Sequence, residues 1–198
     1  MAIKRQNSII GIIAEDDSDV DSIKVLMKRI AQTEALSVKK FVGRGCGKIR
    51  RKSKSWAEML KSKGCSSLIL IHDLDRNNLG KLKRQIEQSI TPCPIEKYLI
   101  CIPVEEMEAW WLSDPQAIQK ALKLATLPKV SDHPERINSP KEFIGGLVKK
   151  CSENKKIYLN TKHNEMIAAA LDIEKAMRCE SFISFYDFVS RYITVADA

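Results

Sequence analysis

Four short apolar runs, each trailed by a segment of helical periodicity, constrain this chain more than any other feature. The first, residues 8–14, is β-branched and nearly continuous, as in a strand covered on both faces. Behind it Val20, Ile23, Val25, Leu26, Met27 and Ile30 recur at helical spacing. Residues 37–42 read as a second strand, closed by Gly43-Arg44-Gly45-Cys46-Gly47 and followed by a helix over 56–63. A third, 67–71, ends in His72-Asp73-Leu74-Asp75 and leads into a basic amphipathic helix over 79–90. The fourth, 98–102, is stopped by Pro103 and precedes a helix over 104–112. Connections of this length favour parallel strands and right-handed crossovers. The predicted class is therefore α/β: a Rossmann-like, mainly parallel sheet flanked by helices.

Beyond Asp114-Pro115 only helical patterns remain, over 116–124, 141–150, 164–177 and 180–192, with 127–140 as the longest loop. We read residues 1–114 as an α/β core and 115–198 as a helical C-terminal extension packed on it. A length of 198 residues suits a single hydrophobic core. With 44% hydrophobic and 29% charged residues, and only 8 Gly and 7 Pro, collagen-like, low-complexity and wholly disordered chains are excluded. No apolar stretch approaches the ~18 residues of a membrane helix, so no membrane partner is expected. Residues 1–14 imitate a signal peptide, but the apolar run is short and flows into Glu15-Asp16-Asp17, which suits a first strand better. The six cysteines show neither a CxxC pair nor zinc-ligand spacing and are expected as reduced thiols of a cytoplasmic protein.

In a parallel α/β sheet ligands collect at the carboxyl ends of the strands, and the acids of this chain fall there. Glu15 closes the first strand, Asp73 and Asp75 close the third, and Glu105, Glu106 and Glu108 follow the fourth. Asp73 and Asp75, two positions apart, share one side while the chain stays extended. Gathered carboxylates repel one another and retain protons unless a cation neutralises them, and hard oxygen ligands suit Mg²⁺ or Mn²⁺. Singly, an acid at a strand end only caps the next helix, which accounts for Asp16, Asp17 and Ser18. The conjunction of Glu15 with Asp73 and Asp75 at one sheet edge points instead to a divalent-metal site.

Glu15 ending a first strand, Asp19 four residues later and a D-x-D after the third strand together resemble the TOPRIM domain of topoisomerases, primases and overcoming-lysogenization-defect nucleases. The segment Glu105-Glu106-Met107-Glu108-Ala109-Trp110-Trp111-Leu112 looks like the Glu-x-Trp helix of small bacterial TOPRIM-like proteins, some encoded beside ABC-type ATPases in phage-defence operons. The resemblance covers about residues 8–114. It departs from the family at Asp16, where glycine is usual. It implies a Mg²⁺- or Mn²⁺-dependent nuclease that hydrolyses phosphodiester bonds, with an ABC-type ATPase as partner in antiviral defence. In that reading Glu15 is the general acid or base, Asp73 and Asp75 hold metal, and Glu108 is an accessory ligand. All four thus count as catalytic and as metal-site candidates. Glu105, three residues before Glu108 on one helical face, is the reserve choice.

With 33 Lys+Arg against 25 Asp+Glu the net charge is +8, a surplus expected to attract nucleic acid, DNA or RNA, or an acidic membrane surface, although many basic proteins bind neither. Residues 43–55 read as a flexible basic loop in which Arg44, Lys48, Arg50, Arg51, Lys52 and Lys54 could hold phosphates; a solvated surface run explains them equally well. The sequence lacks GxxxxGK[ST], so this is no P-loop. His72, Trp110 and Trp111 are expected to pack rather than to react. Phe182, Phe185, Tyr186, Val189 and Tyr192 form a stripe that suits core first and a docking face second. Two rival functions stand beside the nuclease. One is a phospho-receiver domain, because residues 12–20 resemble the acidic start of response regulators; yet the fourth strand ends without a hydroxyl, at Cys101-Ile102-Pro103, and no fifth-strand Lys-Pro follows. The other is a non-enzymatic binding module. A homo-oligomer is compatible with each.

Overall fold

The computed structural model describes residues 9–193. The signal-peptide-like residues 1–8 lie outside that range. Within it, β1 (Ile9–Ala14), β2 (Ser37–Val42), β3 (Cys65–Ile71) and β4 (Lys97–Cys101) form a parallel sheet in the order β2-β1-β3-β4. Three crossover helices connect the strands: α1 (Asp17–Ile30), α2 (Cys46–Ser62) and α3 (Leu79–Ile90). Then follow α4 (Glu108–Leu112), α5 (Pro115–Leu122), α6 (Pro140–Cys151), α7 (Asn160–Ala170), α8 (Ile173–Ala176) and α9 (Glu180–Tyr192). The α/β class read from the sequence is the one observed.

The period-two rule sorts the central strands between two cores. On one face Ile10, Ile12 and Ala14 of β1, with Ile69 and Ile71 of β3, pack against α1 and the C-terminal helices. On the other, Ile13, Leu68 and Leu70 meet Ile49, Ala57 and Leu60 of α2 and Leu82, Ile86 and Ile90 of α3. Gly11 lets α2 approach the sheet, since a Cβ there would stand 3.0 Å from Leu60 and 3.3 Å from Leu68. The C-terminal helices complete the first core. Trp110 and Trp111 are fully buried, and the Trp110 ring lies 5.2 Å from Phe182 and 5.6 Å from Phe185. The aromatic stripe of α9 is therefore core at Phe182, Phe185 and Val189, and only Tyr192 at its end is exposed.

Several boundaries differ from the sequence reading. Helix α2 begins ten residues earlier than expected, so most of the basic run is helical rather than a loop. Its buried face runs Ile49, Ser53, Ala57, Leu60, and the serine hides the apolar period; Ser53 Oγ donates to Ile49 O. The segment predicted as helix over 104–112 is helical only from Glu108, because Glu105 adopts a left-handed φ of 59°. The pattern over 164–177 is two helices, parted where Asp172 accepts from Glu174 N at 3.0 Å and caps α8. The 127–140 loop carries one 3-10 turn, and its Glu135 accepts from Glu180 N at 2.9 Å and Ser181 N at 3.2 Å, capping α9 from outside. Cys65, Cys93, Cys101, Cys151 and Cys179 are unpaired thiols, and no helix among the described residues is long and apolar enough to cross a membrane.

Candidate active site

Strand β1 lies between β2 and β3, and its crossover helix occupies the opposite face from those that leave β2 and β3. Such a reversal opens a crevice at the carboxyl ends of the two central strands. Glu15 leaves β1 at that point. Asp16 then caps α1, and the cap is reciprocal: Asp16 Oδ1 accepts from Asp19 N and Asp19 Oδ2 from Asp16 N, both at 3.1 Å. This pair fixes the Asp19 carboxyl at the entrance of α1, beside Glu15.

Past the strand ends, the pairing of β3 with β4 continues. His72 N donates to Cys101 O at 3.1 Å, Leu74 N to Pro103 O at 3.0 Å and Asp75 N to Glu105 O at 3.0 Å. Two loops thus leave the sheet side by side, one carrying Asp73 and Asp75, the other running from Glu105 to Glu108. Asp73 Oδ1 accepts from Met107 N at 3.1 Å and ties them together. At the rim Asp75, Arg76 and Glu105 all have left-handed φ, of 49°, 60° and 59°. Each costs about 1 kcal/mol or more for a residue with a Cβ, and such strain gathers where a surrounding scaffold imposes it.

This turn corrects two expectations. The D-x-D is not extended through its second acid, so Asp73 turns inward while Asp75 is exposed at the rim. Glu105 does not share a helical face with Glu108, since it precedes the helix; it lines a pocket of about 210 Å³ with Asp75, Arg76, Glu106, Ser139 and Glu142.

Burial, reinforced by mutual repulsion, favours the neutral forms of several of these acids. Glu15 is pushed up to about 7, first by burial, then by Asp75 and Asp16, with Arg50 opposing. Asp19 is pushed up to about 8 by burial, with Asp16, Glu108 and Glu15 adding to it. Asp73 rises well above its ordinary value through burial and then Asp19, Glu108, Glu15 and Asp75. Burial likewise raises Glu108 and, at the rim, Glu106. The acids that influence one another come from the end of β1, from α1, from the β3 loop and from α4. Three of the four residues named from the sequence join this group, Glu108 buried and Glu15 and Asp73 half-buried, and Asp75 bears on it from the exposed edge.

Two neighbours refine the picture. His72 is fully buried, its Nδ1 2.7 Å from Asp73 O and 3.9 Å from Glu15 Oε1. Burial lowers its pKa, so the ring is neutral, Nδ1–H donates to that carbonyl, and Nε2 is left without a partner, as is Glu15 Oε1. Arg50 bears electrostatically on both Glu15 and His72. Among the predicted basic residues it is the half-buried one; Arg44 follows the sheet edge through its backbone, Arg44 N donating to Glu15 O at 2.8 Å, and Lys48, Arg51, Lys52 and Lys54 are exposed on α2.

The donor set suits a hard divalent cation: oxygen ligands only, excess negative charge on ionisation, and a buried carboxylate oxygen lacking a partner. Among the described residues no three of these side chains already converge as a finished cage, so a bound ion would have to draw them together. Asp19 entered the sequence reading only through the resemblance, and Tyr158 and Asn164, which contact Glu108, were missed. No periodicity or spacing links positions 108, 158 and 164. No curated protein and no solved structure matches the chain. A family model does match, over residues 14–190, from the first acid to the end of α9. The chain belongs to the family described as a domain of unknown function, DUF4276.

Proposed function

We propose that this chain is a TOPRIM-like nuclease that hydrolyses phosphodiester bonds of DNA or RNA with Mg²⁺ or Mn²⁺. One observation carries the reading: Glu15, Asp19, Asp73 and Glu108, from four separate segments, lie close enough at the carboxyl edge of the central strands for several of them to act on one another electrostatically, and the pKa of each is raised. A fold tolerates such repulsion where function requires it. Asp73 and Glu108, with Asp75 from the rim, would hold the cation, which supplies charge neutralisation at the phosphate and an acidified water. Glu15, near 7, would exchange a proton at neutral pH, taking one from the attacking water or returning one to the leaving oxygen. Arg50, near Glu15, and the exposed cations of α2 would hold phosphates, which suits the net charge of +8. Following the same resemblance, we place the enzyme in antiviral defence under an ABC-type ATPase.

The test is cleavage of single- and double-stranded DNA and RNA with Mg²⁺ or Mn²⁺ by wild type, Glu15→Gln and Asp73→Asn. Cation-dependent cleavage lost in both variants is expected; equal activity in all three would overturn the reading. Full-rate cleavage by the lone chain would remove ATPase control.

A further inference from the structure

Glu108 is held from the helical third of the chain. Its Oε1 lies 3.2 Å from the Tyr158 hydroxyl and accepts from Asn164 Nδ2 at 3.2 Å. The same hydroxyl also meets the side-chain carbonyl of Asn164, closing a triangle of three side chains. All three are buried, Glu108 at 5%, Tyr158 at 8% and Asn164 at 1% exposure. Tyr158 sits just before α7, its neighbours Ile157 and Leu159 are exposed, and Asn164 is in the first half of that helix. Helix α7 packs on α1, which carries Asp19.

A buried amide and a buried phenol would be expensive as pure packing, because an apolar pair of the same shape could fill the space without needing partners. Both lie against one oxygen of one carboxylate: Asn164 Nδ2 donates to it, and the single Tyr158 hydroxyl proton is shared between that oxygen and the Asn164 side-chain carbonyl. The other oxygen stays outside the triangle, and the grip on Oε1 sets the rotamer in which it is presented. Partners of this kind orient ligating carboxylates in metal sites generally. We infer that Tyr158 and Asn164 are positioning residues that hold Glu108 toward the cation, so that the helical extension completes a site otherwise built by the α/β core. This rests on the metal-dependent reading above. It also gives the extension a role in the chemistry, beyond covering one face of the sheet.

The test is Mn²⁺ binding to the full chain by calorimetry, with wild type, Asp73→Asn, Tyr158→Phe, Asn164→Ser, Glu108→Gln and the Tyr158→Phe/Glu108→Gln double variant. Thermal melting of each gives the folded fraction to which affinities are referred. Tyr158→Phe keeps the ring and removes only the hydroxyl, and it should weaken Mn²⁺ binding about 10- to 100-fold. Asn164→Ser should do the same and serves if the tyrosine variant does not fold. In the Glu108→Gln background Tyr158→Phe should add nothing, since it acts through that carboxylate. A purely structural role would instead change melting and leave affinity per folded molecule unchanged. If wild type and Asp73→Asn both fail to bind Mn²⁺, the metal reading fails and this inference with it. If wild type binds, Asp73→Asn does not, and Tyr158→Phe matches wild type or is additive with Glu108→Gln, only the inference is overturned.

Discussion

Asp114 is buried and Asp73 half-buried, and the chain surrounds the two acids differently. Asp114, between α4 and α5, receives Lys175 Nζ at 2.8 Å and Asp172 N at 3.0 Å, so its charge is matched from α8 and the turn before it. Asp73 receives one peptide N–H and otherwise faces Asp19, Glu108, Glu15 and Asp75. Among the described residues the ion pairs reach Asp114 but not Asp19, Asp73 or Glu108. The first arrangement fastens the helical extension; the second keeps carboxylates close at a cost to stability. A buried acid supplied with its own cation is explained by folding alone, and one supplied with more acids calls for a ligand.

Replacing the central acid should separate the two regions most sharply. Asp73→Asn is expected to reduce cation-dependent cleavage by about 100-fold or more while raising stability by about 1 kcal/mol, read as a higher melting temperature without added metal. A variant that lost both activity and stability would make Asp73 a structural acid like Asp114. The converse change, Lys175→Met, should cost about 2 kcal/mol, because it strips a buried carboxylate of its partner, with cleavage per folded molecule unchanged. Denaturant unfolding beside an activity assay reads both quantities.

Next in size is the pH dependence. In the fold Glu15 is raised from 4.5 to about 7 and Asp19 from 3.8 to about 8. Between about pH 4 and about pH 8 the native state therefore holds more protons than the unfolded chain, and stability falls as pH rises across that window. In a chelating buffer the melting temperature should be lower near pH 8 than near pH 5.5, and Mn²⁺ should restore more of it at the higher pH. A melting temperature that instead rises through this window would show that the burial and mutual repulsion of these acids do not govern the site.

The smallest effect concerns the basic helix. Arg51→Ala with Lys52→Ala should flatten the slope of log affinity against log salt for nucleic acid by about 1 per lost phosphate contact. An unchanged slope would leave the outer face of α2 merely solvated.

The four strands and α1, α3 and α9 were legible in the sequence because burial imposes a period of two or 3.6 on neighbouring residues, and such patterns survive in one dimension. Strand-end acids were legible for the same reason, since a parallel sheet sends every carboxyl end to one edge. Helix α2 was half hidden because Ser53 sits on its buried face and its exposed positions from Lys48 to Lys54 are all cationic. The inward turn of Asp73, the rim position of Asp75 and the left-handed Glu105 depended on where two loops meet beyond the sheet. The grip of Tyr158 and Asn164 on Glu108 spans 50 residues or more, and no local rule couples positions that far apart. Local chemistry thus determined which acids stand at the edge, and only packing of the helical extension decided how one of them is held.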